Sequence, residues 1–210
     1  MSEPRFQRRK DARPGEITAA AAVLFAEKGY AATRVDDVAR RAGVSKGLMY
    51  LYFKTKEELF KSVIRSFIEP RIEALRERIE ESELSAEQFL RGPFLEFIRS
   101  LPNSPATVIV KLMVTEGPKH PDLVEYYWQN VVSEGLDTLR LLLQRGVDSG
   151  EFRPSALQSF PHLMVAPVLF SVIYTNVFGA HDTLDTDRMF ETHVNVLLES
   201  LKKDEEGTAR

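Results

Sequence analysis

Apolar residues in this chain recur at the spacing of one helix face almost from end to end, and that periodicity limits the fold more than any other feature. Ile17, Ala20, Ala21, Leu24 and Phe25 form one stripe at i, i+3, i+4, i+7 and i+8. Gly29 stands where a C-terminal glycine stops a helix. Thr33, with Asp36 three residues on, predicts a capped second helix with Val35, Val38, Ala39 and Ala42 facing inward, ended by Gly43. A third helix is expected from Ser45 to about Phe53. Thr55 and Glu58 open a fourth, whose stripe runs through Leu59, Phe60, Val63, Ile64, Phe67 and Ile68 to Ile72, Leu75 and Ile79, with a kink at Pro70.

The same grammar continues downstream. Ser85 and Gln88 precede Phe89 to Leu101, where Gly92-Pro93 distorts the helix early. Ser104-Pro105 opens a segment closed near Gly117-Pro118, and Pro121 takes a first-turn position before a run from Leu123 to Val147 that Gly150 ends. Ser155 and Gln158 cap an uncharged helix, and a last one spans about Thr186 to Leu201. No alternating strand pattern, repeat or low-complexity tract is present. The expected class is all-α with about nine helices.

Charge is unevenly spread. Residues 1–60 hold 12 Lys and Arg against 8 Asp and Glu, a balance of +4, whereas the whole chain carries −3, which leaves −7 for the rest. A basic head on an acidic body suits a polyanion-binding module joined to something else. The chain has no cysteine, which excludes disulfides, thiolate catalysis and cysteine-ligated zinc and fits a reducing cytoplasm. Met1 to Lys10 is polar and basic, unlike a secretory signal. From Pro154 to Ala180 there is no Asp, Glu, Lys or Arg. Pro161, His162, Pro167, Ser171, Thr175 and Asn176 dilute this stretch, so it reads as a helix buried by packing and not as a membrane span.

Function concentrates between Thr33 and Glu57, TRVDDVARRAGVSKGLMYLYFKTKE. A short capped helix, a turn at Gly43 and a second short helix make a helix-turn-helix. Val44 can plug the gap between the helices, and small Ala39 and Ala42 permit close approach. Lys46 and Gly47 stand at the start of the second helix, followed by exposed-looking Leu48 and Leu51 and by Tyr50 and Tyr52. A recognition helix sets its N-terminal residues against base edges, while tyrosine hydroxyls and lysines reach phosphates.

The ordering Leu24-Phe25, Gly29-Tyr30, Thr33, Asp37-Val38-Ala39, Ala42-Gly43-Val44-Ser45-Lys46-Gly47, Tyr50, Tyr52-Phe53, Lys54-Thr55-Lys56-Glu57 and Leu59 resembles the DNA-binding domain of the TetR family over about residues 13–65. The resemblance implies phosphate contacts from Thr33, Tyr50, Tyr52 and Lys56, and a base-facing edge at Ser45, Lys46, Gly47 and Leu48. It implies a basic, disordered arm over 1–12 (Arg5, Arg8, Arg9, Lys10, with Arg13 following), a head over 13–65, a helical ligand-binding and dimerisation domain over 66–203, and a disordered tail over 204–210.

The partners implied are double-stranded DNA carrying a palindromic operator, a second copy of the chain and a small-molecule effector, in the cytoplasm and at the nucleoid. The dimer interface is expected from Leu163, Val168, Leu169, Val172, Phe190, Val194, Leu197 and Leu201, and the effector pocket among Phe94, Phe97, Met113, Tyr127, Trp128, Phe170 and Tyr174. The four histidines, His120, His162, His181 and His193, show no metal-ligand spacing. No phosphate-cradling glycine loop or nucleophile elbow occurs, and His181-Asp182 reads as a loop pair. No catalytic residue, metal or cofactor is expected.

Overall fold

A computed structural model of the chain describes residues 5–102 and 104–202, with side chains from residue 14 onward. The expected tail over 204–210, residues 1–4 of the expected arm and the side chains of Arg5, Arg8, Arg9, Lys10 and Arg13 lie outside the described residues. Twelve α-helical segments are present; three of them continue the one before across a break or a π turn, which leaves nine helices among the described residues. No strand occurs there beyond an isolated antiparallel bridge between Phe152 and Lys202. The chain forms two compact units: residues up to Pro70 together with Val108–Gln129, and Arg71–Thr107 together with the residues from Asn130 on.

The first unit opens with α1 (Arg5–Ala32), α2 (Val35–Arg41), α3 (Lys46–Tyr52) and α4 (Lys56–Phe67). The stripe of α1 is buried as its spacing requires, with Ile17, Ala21, Leu24 and Phe25 at most 5% exposed. It packs on α4, where the Phe25 ring meets that of Phe60 edge-on at 5.5 Å. Burying each of these rings contributes roughly 2–3 kcal/mol. The two helices are also joined by a buried hydroxyl pair, Thr18 Oγ1 to Ser62 Oγ at 3.0 Å. Gly29, at φ 79 and ψ 170, breaks α1 so that Tyr30 to Ala32 form a separate last turn; a side chain is disfavoured at that φ. Gly43, at φ 66, turns the chain between α2 and α3, closed by Val44 N–H donating to Ala39 O at 3.0 Å.

Two expected caps are corrected. Arg34, not Thr33, is the N-cap of α2, with no side-chain bond to the helix. The Thr33 hydroxyl turns inward, within reach of Gly29 O at 2.7 Å and Leu24 O at 3.2 Å; the Gly29 carbonyl lacks its helical donor because Thr33 N–H goes to Tyr30 O instead. The other concerns Pro70. Instead of kinking a helix interior, it takes the second position of α5 (Glu69–Glu81), and the break comes just before, at Ile68. A first-turn proline loses no hydrogen bond there. Thr55 caps α4 as expected, accepting from Glu58 N–H, and Ser45 caps α3, accepting from Leu48 N–H.

The first unit ends with α8 (Pro105–Glu116), whose Val108 to Glu116 belong to it, and with α9 (Pro121–Tyr127). Ile109, Leu112 and Leu123 are buried.

In the second unit, α6 (Ala86–Phe89) carries a complete Ser85–Gln88 capping box. A π turn, Leu90–Phe94, joins it to α7 (Leu95–Ser100). Pro93 lies inside that turn, which absorbs the missing N–H and the ring's clash with the preceding turn. Residues of α10 (Ser133–Asp148), α11 (His162–Phe178) and α12 (Thr186–Leu201) complete the core with Leu139, Leu142, Leu143, Met164, Phe190 and Val194. Ser155 caps only the single turn Ala156–Gln158, and the uncharged helix α11 starts later, at His162. No helix among the described residues is long and apolar enough to cross a membrane.

Candidate nucleic-acid interface

Helix α3 is buried on one side only. Met49 is fully buried and Phe53, just beyond, nearly so, while Ser45, Lys46, Gly47, Tyr50 and Leu51 face solvent, Leu51 at 71% exposure. Nothing lies within 4 Å of where a Cβ on Gly47 would stand, so the first turn of α3 presents bare backbone to whatever approaches.

Charge surrounds this edge. Lys46 Nζ lies 2.8 Å from the Asp36 carboxylate at the start of α2 and 5.9 Å from the centre of the Tyr50 ring. The hydrogen bond and charge of Asp36 hold the Lys46 ammonium above its ordinary pKa. Lys28 reaches Asp37 at 3.3 Å and Arg41 reaches Glu27 at 3.1 Å. Tyr52 is half-buried at the end of α3.

Lys56, at the first position of α4, is tied inward. Its Nζ donates to Tyr30 O at 2.8 Å and Ala31 O at 3.1 Å and sits 4.4 Å from the Tyr30 ring centre. Burial pushes its pKa down, while the charge of Glu116 acts the other way. Thr33 departs from its expected part: it is 1% exposed and its hydroxyl is spent on two carbonyls, so it has no side-chain donor to offer a phosphate. The structure thus gathers Ser45, Lys46, Gly47 and Tyr50 on one exposed edge and withdraws Thr33.

A family model described as bacterial regulatory proteins, tetR family, matches residues 17–63. The regulator YfiR of Bacillus subtilis (strain 168), named an HTH-type transcriptional regulator, is 30% identical over 156 residues, which cover 73% of this chain and 75% of that protein. This chain belongs to the TetR family. It is therefore a DNA-binding transcriptional regulator and not an enzyme. The HTH-type transcriptional repressor KstR2 of Mycolicibacterium smegmatis is 29% identical over 143 residues, 68% of each chain. The fold is shared with the SmeT–triclosan complex at a TM-score of 0.77 and 22% identity, covering 95% of this chain and 97% of that one.

The TetR-family body places the remaining expected residues in different settings. Of the interface set, Leu163 and Leu169 are half exposed on α11, but Val168, Val172, Phe190, Val194, Leu197 and Leu201 are at most 7% exposed and serve the core of their own chain. For Val168 and Val172 the cause is simple. Both faces of α11 are apolar, and sequence alone does not say which face turns inward. Outward lie Leu163, Leu169, Phe170, Ile173, Val177 and Phe178.

Of the pocket set, Phe94 is fully buried in the second unit's core with Phe97 packed against it, and Trp128 is 50% exposed. Met113 and Tyr127 are half-buried in the first unit, and burial pushes the Tyr127 hydroxyl to a pKa of about 12. The Phe170 and Tyr174 rings meet at a tilt, 5.4 Å apart, on α11. An open groove of about 690 Å³ runs between α11 and α12, lined by Pro167, Phe170, Arg188, Met189 and His193 among others. Asp182 accepts from the Tyr174 hydroxyl at 2.7 Å, which gives it a structural partner other than His181. No group of three or more His, Asp or Glu among the described residues could hold a metal ion.

Proposed function

We propose that this chain is a repressor that binds a palindromic operator as a homodimer in the cytoplasm, at the nucleoid, and leaves it when a small molecule binds the helical body. The exposed edge of α3 carries the reading: Ser45, Lys46, Gly47 and Leu48 face base edges, with Tyr50, Tyr52 and Lys56 on the phosphates to either side. One such helix reads only a few base pairs, so specific binding calls for two heads spaced by about 34–36 Å on successive major-groove faces.

The outward apolar row on α11 is where the second copy docks. Six large apolar side chains on the outward side of α11, each about half exposed, make the kind of apolar patch that marks an interaction site. Effector release follows from linkage: a molecule that prefers the conformation with mis-spaced heads weakens DNA binding, and DNA weakens that molecule equally. The name of KstR2 as a repressor and the triclosan complex of SmeT support the two halves of this reading.

The test is a fluorescence-anisotropy titration with a duplex selected from genomic fragments, beside a scrambled duplex and at two salt concentrations. Tight, salt-sensitive preference for a palindrome is expected. A folded dimer that binds every duplex alike at low salt would exclude sequence-specific regulation. An effector that left operator affinity unchanged at saturation would overturn the release mechanism.

A further inference from the structure

Two consecutive residues at the end of α1 have their backbone N–H and C=O groups held by opposite charges. Gly29 interrupts α1, so the N–H groups of the turn that follows lack carbonyl partners four residues back. Tyr30 N–H donates to Glu116 Oε1 at 3.0 Å, and Ala31 N–H donates to Glu116 Oε2 at 2.9 Å. The carbonyls of the same two residues point the other way and accept from Lys56 Nζ at 2.8 and 3.1 Å. The peptide group between Tyr30 and Ala31 is thus closed at its positive end by a carboxylate and at its negative end by an ammonium, and its two neighbours are each held at one end. All of these residues lie within the first unit.

We propose that Glu116 is a positioning residue for the DNA-binding head: by holding the Tyr30–Ala31 turn against Lys56, it sets where the first turn of α4 and its ammonium sit. Several observations bear on this. Glu116 is the last residue of α8, 85 and 86 positions from the two it holds, so the bond fixes the end of one helix to the end of another. The fit is close, since a Cβ on Gly29 would stand 3.0 Å from Glu116 Oε1. The Tyr30 ring is fixed as well, edge-on to Phe60 at 5.3 Å and to His120 at 4.8 Å, which leaves Lys56 one defined place over its face. Two of the three ammonium donors are spent on carbonyls, and one remains for a phosphate.

The inference rests on the reading of this head as a DNA binder, and the experiment separates the two. Full-length dimeric protein carrying Glu116→Gln, Lys56→Ala or both is titrated by anisotropy with a duplex of about three helical turns, selected from a randomised pool by the unaltered protein, between about 50 and 200 mM salt. Glutamine keeps the size but offers one acceptor where two are needed. Glu116→Gln is expected to lose about tenfold in affinity and about one unit of salt slope, as Lys56→Ala does, and the double variant no more than the worse single one. Amide exchange at Tyr30 and Ala31 is expected to speed up while Val63 and Ile64 in α4 keep their protection, which a general loss of fold would not produce. Should protection fall throughout, Glu116→Asp, which keeps the charge but stops one methylene short, is judged by the same criteria. Unaltered affinity and slope in Glu116→Gln, or losses that add fully in the double variant, would overturn the inference. If the unaltered protein selects no duplex at all, the DNA-binding reading fails and takes the inference with it.

Discussion

The Lys46 ammonium bridges to the Asp36 carboxylate at 2.8 Å, tying the first turn of α3 to that of α2. Both side chains are largely exposed, so solvent screens the pair and it adds little to the fold. Its larger effect is on what approaches. DNA phosphate must either draw Lys46 away from Asp36 or tolerate a carboxylate beside it. Asp36→Asn is therefore expected to strengthen binding to operator and scrambled duplexes alike, by roughly twofold to fivefold at low salt, with the gain fading as salt screens it. Anisotropy titrations with both duplexes decide this. Weaker binding to both would mean that Asp36 serves to aim Lys46 at the base edges it is proposed to face.

On α11, Leu169, Ile173 and Val177 are each about half exposed and succeed one another at four-residue intervals, which places them in one row. Replacing Leu169 and Ile173 together by arginine adds two charges to the proposed dimer face without touching the core. The expected product is a folded monomer whose melting temperature, unlike that of the dimer, does not depend on protein concentration, and its operator affinity falls by at least about 100-fold for want of the second head. Sedimentation velocity measures the first and anisotropy the second. A variant that stays dimeric would place the interface elsewhere.

Most of the fold was legible because its signals are local. Stripes, caps and glycine stops need only a few neighbouring residues, and the last helix runs from Thr186 to Leu201 as its pattern predicts. What escaped notice depends on partners distant in sequence. Thr18 and Ser62 look like polar interruptions of two stripes, yet they meet in the interior as a hydrogen-bonded pair. Thr33 has the residue type of a cap, but the break at Gly29 offers its hydroxyl better acceptors inside. Which face of α11 turns inward is likewise set by α12 and not by α11 alone. In the candidate interface, the α3 edge followed from the motif itself. Glu116 did not, because nothing near it in sequence says that its carboxylate will meet the end of α1.

Glu151 lies after α10 and closes the start of α6, where its two carboxylate oxygens accept from Ala86 N–H and Glu87 N–H, both at 3.1 Å. Burial pushes its pKa up, but the amides of Glu87 and Ala86 and the hydroxyls of Ser149 and Ser85 outweigh it and hold the carboxyl below its ordinary value. A carboxyl depressed in the folded state stabilises fully above its unfolded pKa of about 4.3 and loses that contribution as pH falls through the folded value. Urea unfolding of Glu151→Gln against the unaltered protein should show a constant deficit, on the order of 1 kcal/mol, above about pH 5.5. The deficit should shrink as the solution is acidified below about pH 4. A deficit that does not depend on pH would mean that the carboxylate charge plays no part.

Helix α5 ends at Glu81 without a glycine, and Arg145 of α10 takes over the capping. Its guanidinium donates to Ile79 O, Ser82 O and Leu84 O, three carbonyls at or beyond the helix end that have no intrahelical donor. A fork of donors suits this task and a single ammonium does not. Arg145→Ala is expected to cost about 2–3 kcal/mol in urea unfolding, and Arg145→Lys to recover less than half of that. Full recovery by lysine would show that charge alone, and not the fork, closes the helix.

Gly146 decides between two opposing rules. It lies inside α10, where helix propensity favours alanine over glycine by about 1 kcal/mol, so a reading of the sequence alone predicts that Gly146→Ala stabilises. The structure predicts the reverse. A Cβ at this position would stand 2.1 Å from Phe152 Cδ2 and 2.5 Å from Cε2. Phe152 cannot simply swing aside, since it is 3% exposed and its own N–H donates to Gly146 O at 2.9 Å. Relieving the overlap means driving a large ring out of a packed core, which costs about 1–3 kcal/mol and exceeds the propensity gain. Gly146→Ala should therefore lower the urea midpoint, and pairing it with Phe152→Leu should restore part of the loss because the smaller side chain leaves room for the methyl group. A midpoint raised by Gly146→Ala alone would mean that the ring has another place to go and that propensity governs this position after all.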